Sequence, residues 1–174
     1  MNRFTRYGLW VLSTAIFLVT LNAQTASEAK LVGKWKLNTA KSQYQGAPHP
    51  NEATMVISQA TASHFKWQVS TAFAEGGRSV WSDMGFDGAI DGQPHEYKGA
   101  MRGTRLSFVD DNGILEGTAK YPGNAKNPDG MTMHETITVS EDGNTIISKS
   151  SLTFPKGTAS WIEVWERVPD EKRN

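Results

Sequence analysis

Three glutamates on predicted strands are the residues of this sequence best suited to acid–base chemistry. Glu116, Glu135 and Glu163 each have largely apolar neighbours along the chain. A carboxyl group that a strand turns into an apolar interior has a raised pKa and can exchange a proton near neutral pH. The same residue on the outer face of its strand only meets water. Each glutamate can therefore be interpreted either as an acid–base catalyst or as a solvent-exposed surface residue. The sequence alone assigns no catalytic residue.

Other kinds of reactive site have no supporting motif. The chain has no cysteine, which excludes disulfides, thiolate metal sites and cysteine nucleophiles. None of its 4 histidines has a second ligand at metal-binding spacing. Glycine-rich phosphate loops and Gly-x-Ser-x-Gly motifs are also absent from the sequence. We therefore expect no metal and no cofactor.

Composition restricts the class of partner. The 174 residues include 18 basic and 18 acidic side chains, so the net charge is zero. A nucleic-acid partner would require a basic face, and we expect none. The length and a hydrophobic content of 38% indicate one globular domain with a sizeable core.

The first residues resemble a signal peptide. Arg3 and Arg6 precede a largely apolar run of 14 residues, Gly8–Leu21. A membrane-spanning helix needs about 20 residues, so a retained anchor is disfavoured. Cleavage is expected after Ala23, with Ala29 as the alternative. We expect an exported protein, periplasmic or extracellular, with no stable membrane insertion after cleavage.

The rest of the chain alternates between apolar and polar residues in short runs, as half-buried strands do. The clearest run is His64–Thr71, and Asn112-Gly113 is a strong hairpin signal. This pattern predicts an all-β domain over residues 30–168, followed by a charged tail, 169–174. A sheet of this length without helices is expected to close into an antiparallel up-and-down barrel of eight to ten strands. A Greek-key sandwich is the alternative. The candidate strands are Leu31–Asn38, Thr54–Ala60, His64–Thr71, Arg78–Phe86, His95–Lys98, Arg105–Val109, Ile114–Tyr121, Met131–Ser140, Thr145–Phe154 and Ser160–Val168.

The first predicted strand also carries a family resemblance. Gly33-Lys34-Trp35 resembles the Gly-x-Trp opening of lipocalins and their calycin relatives. With Lys41-Ser42-x-Tyr44 and Phe86-Asp87-Gly88, the chain is more similar to the small secreted lipocalin-like proteins of bacteria. The resemblance implies a barrel closed beneath Trp35 and open at the other end, where it holds an apolar molecule.

The last strand departs from a related pattern. Fatty-acid-binding proteins grip a carboxylate with Arg-x-Tyr on their last strand, where this chain has Glu163-Val164-Trp165. Their helical lid is also not expected here, because residues 39–52 contain two prolines. If the last strand lies as in those proteins, Glu163, Trp165 and Arg167 face inward, and Arg167 is within reach of Glu163. This arrangement predicts a preference for neutral or cationic apolar ligands.

These observations predict an exported barrel that binds a small apolar or amphipathic molecule. One alternative is an isomerase- or cyclase-type enzyme that uses an inward glutamate. The other is an interaction module with a solid core, which contacts a protein through residues 39–52 and 122–130. Small inward residues, such as Gly117 and Ala119, would leave room for a ligand and favour the first function. The candidate cavity residues are Trp35, Trp67, Phe86, Met133, Glu163, Trp165 and Arg167.

Export has a direct test. The mature protein should begin near Gln24 and remain soluble without detergent, because cleavage removes the apolar run. N-terminal sequencing of the purified protein measures this. A chain that begins at Met1 and is found in membrane fractions would contradict the prediction.

Overall fold

The computed structural model describes residues 29–100, 102–125 and 128–169. The predicted signal peptide, 1–23, lies outside these residues, as do residues 170–174 of the predicted tail. In the described part of the chain, strands alternate with short turns and form one antiparallel sheet. They are β1 (Gly33–Leu37), β2 (Gln43–Gln45), β3 (Glu52–Thr61), β4 (His64–Glu75), β5 (Arg78–Ala89), β6 (His95–Lys98), β7 (Arg105–Asp111), β8 (Ile114–Tyr121), β9 (Met131–Val139), β10 (Thr145–Phe154) and β11 (Gly157–Arg167).

The sheet closes because β1 pairs along both of its edges. One edge pairs with β3 and the other with Trp165–Arg167 of β11. The short β2 pairs with the preceding segment of β11, Ser160–Ile162, so β1 and β2 together fill one of ten positions around the barrel. From β3 to β11, each strand pairs with the next. The predicted up-and-down barrel is confirmed, and the Greek-key alternative is wrong.

Strand β2 lies in the segment 39–52, which the sequence pattern predicts as a plain connection. The chain turns after β1, where the backbone N–H of Ser42 donates to the Asn38 carbonyl at 3.1 Å. The Ser42 hydroxyl then accepts a hydrogen bond from the Val164 N–H at 3.0 Å, which returns the chain to β11. Three residues are too few to show an alternating pattern, so only the pairing with β11 reveals this strand.

Turn residues predict where two of the hairpins lie, but they do not predict how long the paired strands are. Asn112 and Gly113 have φ values of 54° and 85°, as the predicted two-residue turn requires. The β4–β5 hairpin is longer than its predicted segments, because pairing continues to Glu75 and Arg78 beside the turn. The longer hairpin extends one wall of the barrel beyond its neighbours.

One part of the barrel interior is filled by aromatic side chains. The rings of Phe65 and Phe86 pack edge-to-face against Phe108, with centroid distances of 5.2 and 5.0 Å. Gly117 and Ala119 face this cluster and are buried. A Cβ atom at Gly117 would lie 2.8 Å from the Phe108 ring, so the space above this glycine is already occupied. The expectation that Gly117 leaves room for a ligand is therefore wrong.

Trp35 and Arg167 close this end of the barrel. The Trp35 side chain is fully buried, and its indole N–H donates to the Leu31 carbonyl at 3.0 Å. The Arg167 guanidinium lies over the indole, 4.2 Å from the ring centroid. It also donates to the carbonyls of Val32 and Gly143 at 2.9 and 2.6 Å. Arg167 therefore ties the residues before β1 to the β9–β10 turn.

Trp35→Ala should cost about 3–5 kcal/mol of unfolding free energy, because it removes a large buried side chain and leaves a cavity. Urea denaturation of the variant and the wild type measures the difference. Trp81→Ala is the control, since Trp81 is 53% exposed and its loss should cost less than about 1 kcal/mol. Equal effects of the two changes would contradict the role of Trp35.

Candidate ligand-binding site

A cavity of about 350 Å³ occupies the remaining part of the interior. It extends toward the end where the β2–β3 connection and the tips of the β4–β5 and β10–β11 hairpins lie, and Pro48, Phe73 and Phe154 line it there. Its volume is at the small end of the range for ligand pockets, about 300–1,000 Å³. The site is therefore large enough for a small organic molecule.

The cavity has an apolar wall and a polar wall. Met55, Val69 and Met84 of β3, β4 and β5 line the apolar wall. The polar wall comes from neighbouring strands β9, β10 and β11, with β2 beside them. Its polar side chains are Tyr44, Glu135, Ser148, Ser150 and Glu163. A molecule that matches both walls is amphipathic.

Glu163 lies at the centre of the polar wall. Its side chain faces inward with Trp161 and Trp165, because alternate residues of β11 point to the same face. Its Oε1 accepts a hydrogen bond from the Tyr44 hydroxyl at 3.0 Å. Burial, reinforced by the nearby charge of Glu135, raises the pKa of Glu163 to about 7. The Tyr44 hydrogen bond opposes this shift without cancelling it. Glu163 thus exchanges a proton near neutral pH.

Glu135 is the second inward carboxyl group. Its Oε1 accepts a hydrogen bond from the Ser148 hydroxyl at 2.5 Å. Burial raises its pKa, and Ser148 and Ser150 partly offset the rise. The Ser150 hydroxyl is close enough to Glu135 to lower its pKa, but among the described residues it forms no hydrogen bond of good geometry. The polar wall therefore has hydrogen-bonding capacity that the protein itself does not use.

Three tyrosines add neutral donors around these carboxyl groups. Burial raises the pKa of Tyr121 to about 12 and also raises the pKa values of Tyr44 and Tyr97. The charge of Glu135 adds to the shift at Tyr97 and Tyr121, and that of Glu163 adds to the shift at Tyr44 and Tyr97. All three hydroxyls consequently stay protonated at neutral pH and can only act as neutral hydrogen-bonding groups.

Four of the predicted cavity residues line the cavity, and three do not. Trp67, Met133, Glu163 and Trp165 are on its walls. The others, Trp35, Phe86 and Arg167, lie outside its lining and belong to the filled part of the barrel. Arg167 lies on the inward face of β11, as the sequence predicts, but it is the last residue of that strand. There it covers Trp35, so the expected neutralisation of Glu163 by Arg167 is wrong.

Several lining residues are absent from the predicted set of cavity residues. Glu135 lies on the same face of β9 as Met133, and Trp161 lies on the same face of β11 as Trp165. The alternation along these strands could therefore have predicted both residues. Tyr44 had no usable signal, because its position depends on the pairing of β2 with β11. Tyr97 lies on a strand of four residues, too short to define a face.

The remaining candidates for chemistry lie away from the cavity. Glu116 is exposed on β8, and His134 is exposed on β9. His64 Nε2 lies 2.9 Å from Asp87 Oδ1, at hydrogen-bond distance and in contact with solvent. Among the described residues, no three His, Cys, Asp or Glu side chains are close enough to hold a metal ion. The same residues contain no helix long and apolar enough to cross a membrane.

Glu163 should make stability depend on pH. Its pKa is about 7 in the folded protein and 4.5 ordinarily, so the folded state binds the proton more tightly. Stability therefore falls as pH rises through this window, by roughly 3 kcal/mol. Glu163→Gln should lose less stability than the wild type between pH 5 and pH 8 in urea titrations. The control Glu116→Gln, at an exposed position, should follow the wild type; identical profiles for all three proteins would contradict the assignment.

Comparison with known proteins supports the architecture. No protein-family model matches the chain, and no curated protein matches it significantly. Zebrafish ileal bile acid-binding protein, solved with cholic acid, is 14% identical over 80% of this chain and 99% of its own, with a TM-score of 0.44. The S-type phycobiliprotein lyase of Guillardia theta is 10% identical over 88% of this chain and 98% of its own, with a TM-score of 0.56. The similarity to the lyase, together with the closed strand order, identifies the fold as a lipocalin-like β-barrel.

Proposed function

We propose that this barrel binds a small apolar or amphipathic molecule inside its cavity. The observation that carries the proposal is that the barrel interior has two parts. The part next to Trp35 is filled with aromatic side chains, and the part beyond Trp67 is a cavity. Large aromatic and aliphatic side chains line the hollow part, and a few polar groups converge on one of its walls. Binding sites for small molecules commonly have this composition.

The cavity favours ligand binding over the solid-core alternative. A barrel that serves only as a scaffold for loops needs no internal space, and empty apolar volume lowers stability. About 350 Å³ of such volume is present here, next to two half-buried carboxyl groups with raised pKa values. Both features cost folding free energy, and a bound ligand would offset that cost.

The same proposal includes export. The basic residues and the apolar run at the N-terminus support a cleaved signal peptide, which would place the barrel in the periplasm or outside the cell. In that setting the absence of cysteine means that the hydrophobic core and the closed ladder alone hold the fold.

Acid–base catalysis on the bound molecule is a second candidate function. It is favoured by Glu163, because a carboxyl group with a pKa of about 7 inside an apolar cavity suits general acid–base work. A binding protein returns its ligand unchanged, whereas an isomerase or cyclase converts it. Incubating the co-purified molecule with fresh wild type or with Glu163→Gln, followed by chromatography, would separate the two functions, since only an enzyme forms a chemically new product.

Filling the cavity should abolish binding. Leu152→Trp adds volume at a lining position, so it should weaken binding of the neutral fluorescent probe N-phenyl-1-naphthylamine about tenfold or more. Ile147→Trp is the matched control on the same strand, because Ile147 faces outward and is 38% exposed. Fluorescence titration measures both affinities. Equal binding by the two variants, or no binding by the wild type, would contradict the proposed site.

A further inference from the structure

Among the residues that the structure describes, the cavity lining has acidic groups and no basic one. It includes Glu135 and Glu163 but no lysine, arginine or histidine. Arg167, the nearest basic residue along β11, is engaged at the opposite end with Trp35 and backbone carbonyls. The groups that face the two carboxyls are the neutral tyrosines 44, 97 and 121. A cationic ligand would be the missing counter-charge.

The two carboxyl groups are directed toward a common space. Glu163 pairs with Ser148 across β10 and β11, and Glu135 pairs with Ser150 across β9 and β10. The two glutamates are separated by two strand spacings across the sheet and by two residues along the strands. This geometry places their Cα atoms roughly 12 Å apart. Glu135 also bonds diagonally to Ser148, which directs it toward Glu163. Side chains on the inside of a barrel converge, so one small group can contact both carboxylates.

Unused acceptors and one unpaired hydroxyl remain beside this space. A carboxylate offers about four acceptor positions. Each of these two accepts one hydrogen bond on Oε1, from Tyr44 and Ser148 respectively. Ser150 is 6% exposed, and its hydroxyl, which lies near Glu135, forms no hydrogen bond of good geometry within the described part of the chain. These groups match a ligand that donates several hydrogen bonds from one charged atom.

Aromatic rings surround the carboxyl groups. Trp161 and Trp165 flank Glu163 on β11, and Tyr44 contacts it from β2. The electron-rich faces of such rings attract cations and also bury apolar surface. Opposite them, the apolar wall of Met55, Val69 and Met84 suits a hydrocarbon.

We propose that the ligand is a small hydrophobic amine, whose ammonium group lies between Glu163 and Glu135 and whose hydrocarbon part lies against the apolar wall. The inference rests on the proposed binding function and names its ligand class. Ammonium groups provide the positive charge and several N–H donors that the polar wall lacks. A fatty acid would instead bring a carboxylate against two carboxyl groups and would require both to stay protonated, because like charges repel strongly in a site of low dielectric.

Proton exchange distinguishes this ligand class from others. Near pH 7 about half of the Glu163 side chains are protonated, given a pKa of about 7. An ammonium ion favours the ionised form, so binding should release about half a proton per ligand. A carboxylate ligand would favour the neutral form and take protons up.

The test compares three ligands that share one hydrocarbon chain: octylamine, octanol and octanoate. Isothermal titration calorimetry of the purified protein at pH 7, in buffers of different ionisation enthalpy, gives both affinity and proton release. Octylamine should bind about tenfold tighter than octanol and release protons, and octanoate should bind most weakly. Equal binding of octylamine and octanol without proton release, or tighter binding of octanoate, would overturn the inference and leave the proposed function standing. Binding of none of the three would overturn both.

Substitutions of Glu163 and Glu135 test whether these carboxyl groups cause the preference for octylamine over octanol. Glu163→Gln should lower octylamine affinity about tenfold and change octanol affinity less than twofold, since it removes charge and keeps shape. Glu135→Gln should act in the same direction, and it replaces the first variant if that one fails to fold. Glu116→Gln, on the outer face, should leave both affinities unchanged. Unchanged octylamine affinity in both cavity variants would overturn the inference.

Discussion

The pairing of the first strand with the last is the constraint on which the rest of the structure depends. β1 is only five residues long, yet it joins β3 to β11 and removes both open edges of the sheet. Trp35 fills the space inside this junction, and the Arg167 guanidinium covers it. Because Arg167 also holds three carbonyls, of Lys30, Val32 and Gly143, it cannot serve the cavity. The closure therefore determines the charge of the site as well as the fold.

The interior is divided by the size of its inward side chains. Phenylalanines pack against one another around Phe108, and Gly117 allows that ring to lie close to the sheet. Beyond them, serines on β10 take the place of large residues, so the space is not filled. This arrangement gives a packed base for the open part, where the polar groups lie half-buried or buried among apolar side chains. Low effective dielectric then couples Glu135 to Glu163 and keeps the tyrosines neutral.

Most polar groups of the cavity come from strands that are adjacent in the sheet. β9, β10, β11 and β2 supply both carboxyl groups, two serines and Tyr44, while the opposite strands β3, β4 and β5 supply mainly apolar side chains. An amphipathic interior of this kind orients a ligand before any specific contact forms. Such an interior would orient a bound amine for recognition, and it would also present a substrate to a carboxyl group. Binding and acid–base chemistry thus remain two uses of one geometry.

The sequence by itself determined ten of the eleven strands, most of the turns and, within each long strand, which residues share a face. Period-two alternation is local, which is why His64–Thr71 and the Asn112-Gly113 hairpin could be predicted without a structure. Tertiary structure alone decided how deep each inward residue lies and what occupies the space beside it. Glu163 and Arg167 share one face of β11, but four residues of rise separate them by roughly 13 Å along the strand. One consequently lies in the cavity and the other at the closed end, because alternation encodes a face and carries no information about position along the barrel axis.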